Sequence, residues 1–372
     1  MAPIKVVHIS TTHAPSDIRI FRREARSLAK AGYDVTYISP GNDDERIVDG
    51  VRLVAIPRAR NRLGRLLVMI VALRAALRLR AQVYHVHDPE LLVALLMVRL
   101  LRPRAILIQD AHENYRRYVE TERPGWLRYP LAMAIAFFEY AARFYCSGFI
   151  VANPSIARNF PERLTVEISN FPSFDQLPLP SELQAERPLA QFVYAGVIYP
   201  AQRVHLIVEA LGMLPEALNA RLVLAGTFAD DEYEKRLRSL MGWRYVDLVG
   251  RLPAAEVIAL YTRSTAAVIP METFGNMEDA RPNKLFECLG SGLPVIVAYQ
   301  EGWRPFIETP QAGWSLKDVT ADGLARIMRE VIEQPEETRR RGRNARAAIE
   351  RAYNWEVEEG KLLGFYRRLT SN

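Results

Sequence analysis

Two cysteines in 372 residues, Cys146 and Cys288, are too few and too far apart for a disulfide framework or a paired-thiol metal or redox site. Such sparse usage fits a reducing compartment, and no zinc or iron–sulfur centre is implied. Long apolar runs are missing as well: Arg74, Arg99 and Glu139 interrupt every candidate before it reaches the ~18–20 residues that would span a bilayer. Met1 to Ser10 lacks the charged, apolar and small-residue regions of a secretory signal, so secretion is not expected and the cytoplasm is the expected place. Self-similarity at a period of roughly 20–50 residues is absent, which argues against a solenoid.

What is present is an ordinary globular composition, 49% hydrophobic and 25% charged. The length suits two α/β domains of roughly 170 to 190 residues each. The net charge of +6 is uneven. Between Val51 and Asp110, eleven basic residues face three acidic ones, while the half beyond residue 170 is slightly acidic. A local basic excess of this kind points to a polyanionic neighbour or to a well-solvated helix face.

Short β-branched runs alternate with helical spans throughout, the pattern of parallel sheets covered by helices. In the first half the pattern predicts strands at Val6–Ser10, Val35–Ser39, Val51–Ile56, Val83–His87, Ala105–Asp110 and Gly148–Ala152, with helices over Ser16–Ala31, Leu63–Leu79, Leu91–Leu101 and Trp126–Tyr145. Periodicity lapses over Asn170–Glu186, a Pro- and Ser-containing stretch that reads as a linker. It restarts with strands near Phe192–Ala195, Leu222–Ala225, Val246–Leu248, Ala267–Ile269 and Pro294–Val297, and helices over Val204–Leu214, Asp231–Met241, Ala254–Thr262 and Pro282–Ser291. The expected architecture is therefore α/β, two Rossmann-like domains at 1–172 and 187–352 whose parallel sheets face across a ligand-binding cleft.

The most informative stretch is Arg281-Pro282-Asn283-Lys284-Leu285-Phe286-Glu287, followed by Gly290, Gly292 and Pro294. Pro282 suits the first position of a helix, because its missing N–H would be unpaired there. Lys284 then falls in the first turn and Glu287 one turn deeper on the same face. A helix start with an added ammonium suits a diphosphate, and a carboxylate one turn on suits a ribose diol. An amphipathic surface helix with an exposed Lys–Glu pair would read the same way.

This stretch resembles the donor-binding helix of retaining glycosyltransferase family 4. Other segments in matching order are similar to it: His8 to Ile38 with Asp17-Ile18-Arg19-Ile20-Phe21 and Glu24, then Tyr84-His85-Val86-His87-Asp88-Pro89-Glu90-Leu91, Asp110-Ala111-His112-Glu113, and Tyr353-Asn354-Trp355-Glu356. The middle segments are similar to a branch that builds bacterial surface polysaccharides. The resemblance implies the GT-B fold, with a helix at residues 353–372 crossing back toward the first domain, and a nucleotide-sugar donor, with Lys284 meeting the diphosphate, Glu287 holding the ribose, and His112 near the transferred sugar. It also implies donor contacts from Gly196, Arg203, Asp279, Asn283 and Leu285. Asp279 stands where many relatives carry Glu, and Val204 follows Arg203 where they carry Gly. Asp17, His87, Asp88 and Glu113, at predicted strand ends or the first loop, are candidates for binding a saccharide or lipid-linked acceptor. No Asp-x-Asp occurs, so no metal is expected to carry the diphosphate, and no cofactor is expected.

Retention would let a donor phosphate oxygen act as base, whereas inversion would need a carboxylate such as Asp17 or Glu113. Seven arginines, Arg58, Arg60, Arg62, Arg65, Arg74, Arg78 and Arg80, alternate with Leu63, Leu66, Leu67, Ile70, Leu73 and Leu77. That stretch reads as a helix lying on an anionic membrane surface, or as a surface helix packed on the sheet. Nucleic acid is not expected, because the basic run is interleaved with leucines and no RNA-recognition signature accompanies it. Two further readings of the chain stay open: a nucleotide-sugar epimerase and a catalytically silent scaffold of the same fold.

Overall fold

The computed structural model describes residues 2–42, 45–59, 61–112, 125–179, 181, 183, 190–271 and 280–371. The chain forms two compact units, Met1–Asn170 together with Glu356–Asn372, and Phe171–Trp355.

The first unit runs β1 (Lys5–Ile9), α1 (Arg26–Lys30, preceded by a π-helical stretch Ile18–Ala25), β2 (Asp34–Pro40), β3 (Arg46–Val48), β4 (Val51–Ile56), α2 (Arg62–Arg78), β5 (Val83–Val86), α3 (Leu91–Leu101), β6 (Ile106–Ala111), α4 (Gly125–Ala142), β7 (Gly148–Val151) and β8 (Thr165–Glu167). Its eight strands pair in the order β3-β4-β2-β1-β5-β6-β7-β8. All pairs are parallel except the β3–β4 hairpin at the edge. The central strands β1 and β5 are buried on both faces, which is why their sequences are nearly continuous apolar runs. Polar interruptions in such strands are conspicuous, and here they are His8 and His85, with buried His87 just past the end of β5.

The predicted helix Ser16–Ala31 is not a plain α-helix. Arg22 N–H bonds to the Asp17 carbonyl at 3.1 Å, the five-residue step of a π-helix. That step puts residues five apart on one side, so Arg19 and Glu24 come together with Arg19 Nε 3.2 Å from Glu24 Oε1. The C-terminal helix Trp355–Thr370 brings the chain back into the first unit. There Glu358 accepts the Ser169 amide at 2.9 Å and Tyr366 Oη lies 2.8 Å from His85 Nδ1. Phe365 covers Gly148, where a Cβ would stand 2.4 Å from its ring.

The second unit runs β9 (Gln191–Ala195), α5 (Val204–Met213), β10 (Arg221–Ala225), α6 (Asp231–Ser239), β11 (Val246–Gly250), α7 (Ala254–Thr262), β12 (Ala266–Ile269), α8 (Asn283–Gly290), β13 (Val295–Ala298), β14 (Gly313–Leu316), α9 (Ala321–Glu333) and α10 (Pro335–Arg351). Its six parallel strands are ordered β11-β10-β9-β12-β13-β14. Residues 313–351, for which the sequence pattern predicts no element, supply β14, α9 and α10. The linker expectation is corrected at its start. Phe171 and Leu177 are buried in the core of the second unit, Phe171 against Phe286 and Leu177 over Gly290, where a Cβ would lie 2.6 Å from Leu177 Cδ2. Apolar anchors among the prolines decide this, and composition alone did not weigh them.

Candidate functional site

The start of α8 is built differently in detail from the expectation. Pro282 is the cap, with extended backbone, and Asn283 is the first helical residue. Two contacts fix the approach to it: Trp303 Nε1 donates to the Ala280 carbonyl at 2.8 Å, and the Arg281 guanidinium stacks over the rings of Phe171 and Phe306. Lys284 then directs its ammonium back over β9. Its Nζ donates to Tyr194 Oη at 3.0 Å and to Gln202 Oε1 at 2.8 Å, and lies 4.3 Å from the centre of the Tyr194 ring. Burial disfavours the charged form and brings the Lys284 pKa down to about 8, with Cys288 and Glu287 opposing that shift. A half-buried cation at a helix start, held by the neutral oxygens of Tyr194 and Gln202, is a strong attractor for an anion.

Gly196 closes this arrangement. A Cβ there would stand 3.3 Å from Lys284 Nζ, and φ is +139°, so glycine keeps the space around the ammonium open. Gly226 supports Gly196 from the next strand end, since a Cβ on it would lie 1.9 Å from the Gly196 carbonyl oxygen. Gly226→Ala must therefore displace the Gly196 loop. The expected result is a destabilisation of about 2 kcal/mol, read by urea denaturation, with weakened anion binding at Lys284.

Arg203 and its neighbour exchange parts relative to the sequence reading. Arg203 has φ +53°, the left-handed conformation that glycine adopts at least cost, while Val204 is buried in the first turn of α5. The left-handed position is thus 203 rather than 204. The residue before it, Gln202, is the one in contact with Lys284, and its Nε2 donates to Tyr199 Oη at 3.0 Å. Tyr194 and Gln202 carried no recognisable signal, being an aromatic in a strand and an amide in a turn. Asn283 and Glu287 are half-buried on α8 as expected for that face. Leu285 has its side chain fully buried in the core, and its amide bonds to the Pro282 carbonyl at 3.0 Å. Asp279 lies outside the described residues.

The second cluster, in the first unit, gathers five of the six histidines. Asp110, at the end of β6, is its hub. Arg19 forks onto both carboxylate oxygens at 2.8 Å each, and His87 Nδ1 and His112 Nδ1 stand 3.0 and 3.2 Å from Oδ2. Burial would raise the Asp110 pKa, but Arg19 and His112 outweigh it and hold the carboxyl well below the usual range. Because Nδ1 of His112 faces Asp110, its Nε2 points the other way, 3.3 Å from His13 Nε2. Beneath them His87 Nε2 is 3.0 Å from His8 Nδ1. Burial lowers the pKa values of His8 and His85 and raises that of Glu24, with Arg19 opposing the rise at Glu24.

Three of the candidate acceptor residues are engaged elsewhere. Asp17 caps the π-helix, accepting the Ile20 amide at 2.8 Å. Asp88 is buried and holds the loop after β1, accepting from Ser10 Oγ at 2.8 Å, the Thr11 amide at 2.6 Å and the Thr12 hydroxyl. His87 is buried between Asp110 and His8. His87 and Asp88 are thus enclosed, whereas Asp17, His112 and His13 are half-buried and keep some access to solvent. Glu113 lies outside the described residues.

The surface of the first unit carries one further feature. α2 packs beside α3 and α3 beside α4. Among its described side chains α2 buries a stripe of small residues, Val68, Ala72 and Ala76, and leaves Leu66, Leu67 and Ile70 exposed. α3 exposes Leu96, Met97, Leu100 and Leu101, and α4 with the turn after it exposes Met133, Phe137 and Phe144. Among the described residues no helix is long and apolar enough to cross a membrane.

Two family models match the chain: Glycosyl transferases group 1 over residues 180–348 and Glycosyl transferase 4-like domain over residues 18–170. Glycogen synthase of Mycobacterium tuberculosis is 27% identical over 175 residues, 45% of this chain and 40% of the relative, so the match spans less than half of that protein. Among solved structures, sucrose-phosphate synthase from Thermosynechococcus elongatus superposes with a TM-score of 0.75 at 17% identity, covering 99% of each chain. Anabaena HepE, crystallised in complex with UDP, gives 0.73 at 15% identity, covering 99% of this chain and 100% of that one. With both halves of the chain matched by its models and the whole chain matched by its fold, the protein belongs to the group 1, family 4-like glycosyltransferases of GT-B fold.

Proposed function

We propose that this chain transfers a hexosyl group from a nucleoside-diphosphate sugar to a saccharide or lipid-linked acceptor, in polysaccharide or glycolipid assembly, with retention of configuration and without a metal at the diphosphate. The observation that carries this reading is the Lys284 ammonium, presented at the start of α8 by Tyr194 and Gln202 beside a glycine. Charge builds on the departing diphosphate as the glycosidic bond breaks, and a prepositioned cation with helix-start amides stabilises that charge without reorganising. Glu287, one turn deeper, takes the ribose. Arg203 is the candidate for a second cation on the diphosphate. His112, oriented by Asp110, serves near the transferred sugar. UDP is the first base to test because HepE is seen with UDP.

The pKa of about 8 at Lys284 gives the test a pH signature. The ammonium exists below that value, so UDP affinity should be level at pH 6–7 and fall as pH rises past ~8, by up to about tenfold per unit. Bound phosphate favours the charged form and moves the midpoint upward. Calorimetric titration with UDP and GDP between pH 6.5 and 9.5 reads this directly. Binding that ignores pH and also survives loss of the lysine would displace the donor site from α8 and favour a silent scaffold. Release of a free sugar isomer without acceptor would identify an epimerase instead.

The same reading places the protein peripherally on the inner face of the cytoplasmic membrane. Arg65, Arg74, Arg78 and Arg80 are exposed on or just beyond α2, and the apolar side chains that could enter an interface extend to α3 and α4, beyond the Arg58–Arg80 stretch. Co-sedimentation with vesicles containing anionic lipid should fall at least tenfold for Leu100→Ser/Phe137→Ser/Phe144→Ser, while UDP binding is unchanged. Equal sedimentation of both proteins, or none by the wild type, removes this face as the attachment site.

A further inference from the structure

We propose that His8, Glu24, His85 and His87 form a binding site for a zinc-class divalent cation, a structural site separate from the α8 chemistry. One ligand atom from each lies within 4.8 Å of all the others, and all four side chains are buried. The fold makes this arrangement deliberately. β1 and β5 are adjacent parallel strands with His8 directly opposite His85, and His85 and His87, two apart, share one face. The π-helical stretch then lowers Glu24 onto the three rings from above, with Oε2 3.9 Å from His85 Nε2.

What points to a ligand is the set of atoms left over. His8 Nε2, His85 Nε2 and both Glu24 oxygens are enclosed and make no hydrogen bond, although Arg19 stands near one of the oxygens. Leaving four such atoms dry in a core is costly, and a bound ion is one of the recognised explanations. The donor set of three imidazoles and one carboxylate is that of a borderline cation preferring four ligands. The four ligand atoms, within 4.8 Å of one another, need to close in by about an ångström or more to reach the ~3.3 Å edge of a tetrahedron with metal bonds of ~2.0–2.1 Å.

The outer partners are also in place. His87 turns its other nitrogen to the Asp110 carboxylate and His85 turns its own to Tyr366 Oη. Such contacts orient ligating imidazoles and raise their basicity. The cation would therefore join β1, β5 and the π-helix, and through Tyr366 it would feel the docking of the C-terminal helix.

The test uses the full chain with any histidine tag removed. Metal content is measured by plasma mass spectrometry, and the chelated protein is titrated with zinc and then with cobalt, whose tetrahedral visible spectrum reports the ligand field. The expected result is one equivalent of zinc per chain, a melting temperature that falls on chelation and returns on reloading, and a nitrogen–oxygen cobalt spectrum. Tyr366→Phe, which keeps the ring and removes only the hydroxyl, should weaken zinc by 10–100-fold. Glu24→Gln should abolish tetrahedral cobalt binding. Substoichiometric uptake by wild type with no thermal response, or uptake equal in wild type, Tyr366→Phe and Glu24→Gln, overturns the site. None of these readouts uses sugar transfer, so the proposal stands or falls separately from the transferase reading.

Discussion

Replacing Lys284 with alanine should cut kcat/KM for sugar transfer by about 10²–10³ and weaken nucleoside-diphosphate binding by at least tenfold, with no loss of thermal stability. The rate figure is that of removing one prepositioned donor from a developing anion, about 3–4 kcal/mol. Stability is spared because the change removes a half-buried charge rather than stranding one: Tyr194 Oη and Gln202 Oε1, 2.8 Å apart, still bond to each other. Lys284→Arg should not restore activity. The ammonium is a point charge seated between a phenol, an amide and Gly196, and the planar guanidinium fork does not fit that seat. Calorimetry with UDP and GDP, together with transfer kinetics and a melting curve on each variant, separates these effects. Wild-type affinity in Lys284→Ala would show that α8 is not the donor site.

Arg19→Leu should be the most damaging single change in the first unit, costing about 3–5 kcal/mol, because it leaves Asp110 buried without its forked partner. In a unit of this size that corresponds to a fall in melting temperature of roughly 6–20 °C. The pH dependence follows from the direction of the Asp110 shift. In the wild type its pKa is depressed, so the associated stability is fully present above the unfolded value of about 3.9 and is lost only as pH falls through the lower folded value. Without Arg19, burial dominates and raises the folded pKa. The native state is then favoured with Asp110 protonated and loses ground as pH rises. Urea denaturation should accordingly show a larger deficit at pH 8 than at pH 4, and a deficit independent of pH would assign the loss to packing instead.

Much of the architecture was legible because parallel α/β sheets write themselves as apolar runs separated by amphipathic ones. β4 and α3 begin and end where periodicity places them, and the helix carrying Lys284 and Glu287 follows from one proline and one glycine-rich exit. The sequence by itself determined the fold class and the family, since these depend on local period, turn residues and the order of motifs along the chain.

Only the tertiary structure decided which side chains meet. Gln202 and Tyr194 reach Lys284 because β9 and the turn before α5 converge on α8, a contact between residues 82 and 90 positions apart that no local pattern encodes. The π-helical step that turns Glu24 onto His85, and the burial of His87 and Asp88, likewise depend on packing across strands distant in sequence. Local sequence sets the conformations open to each segment. The partners of a buried polar atom are set by the sheet order, and that is a property of the folded chain as a whole.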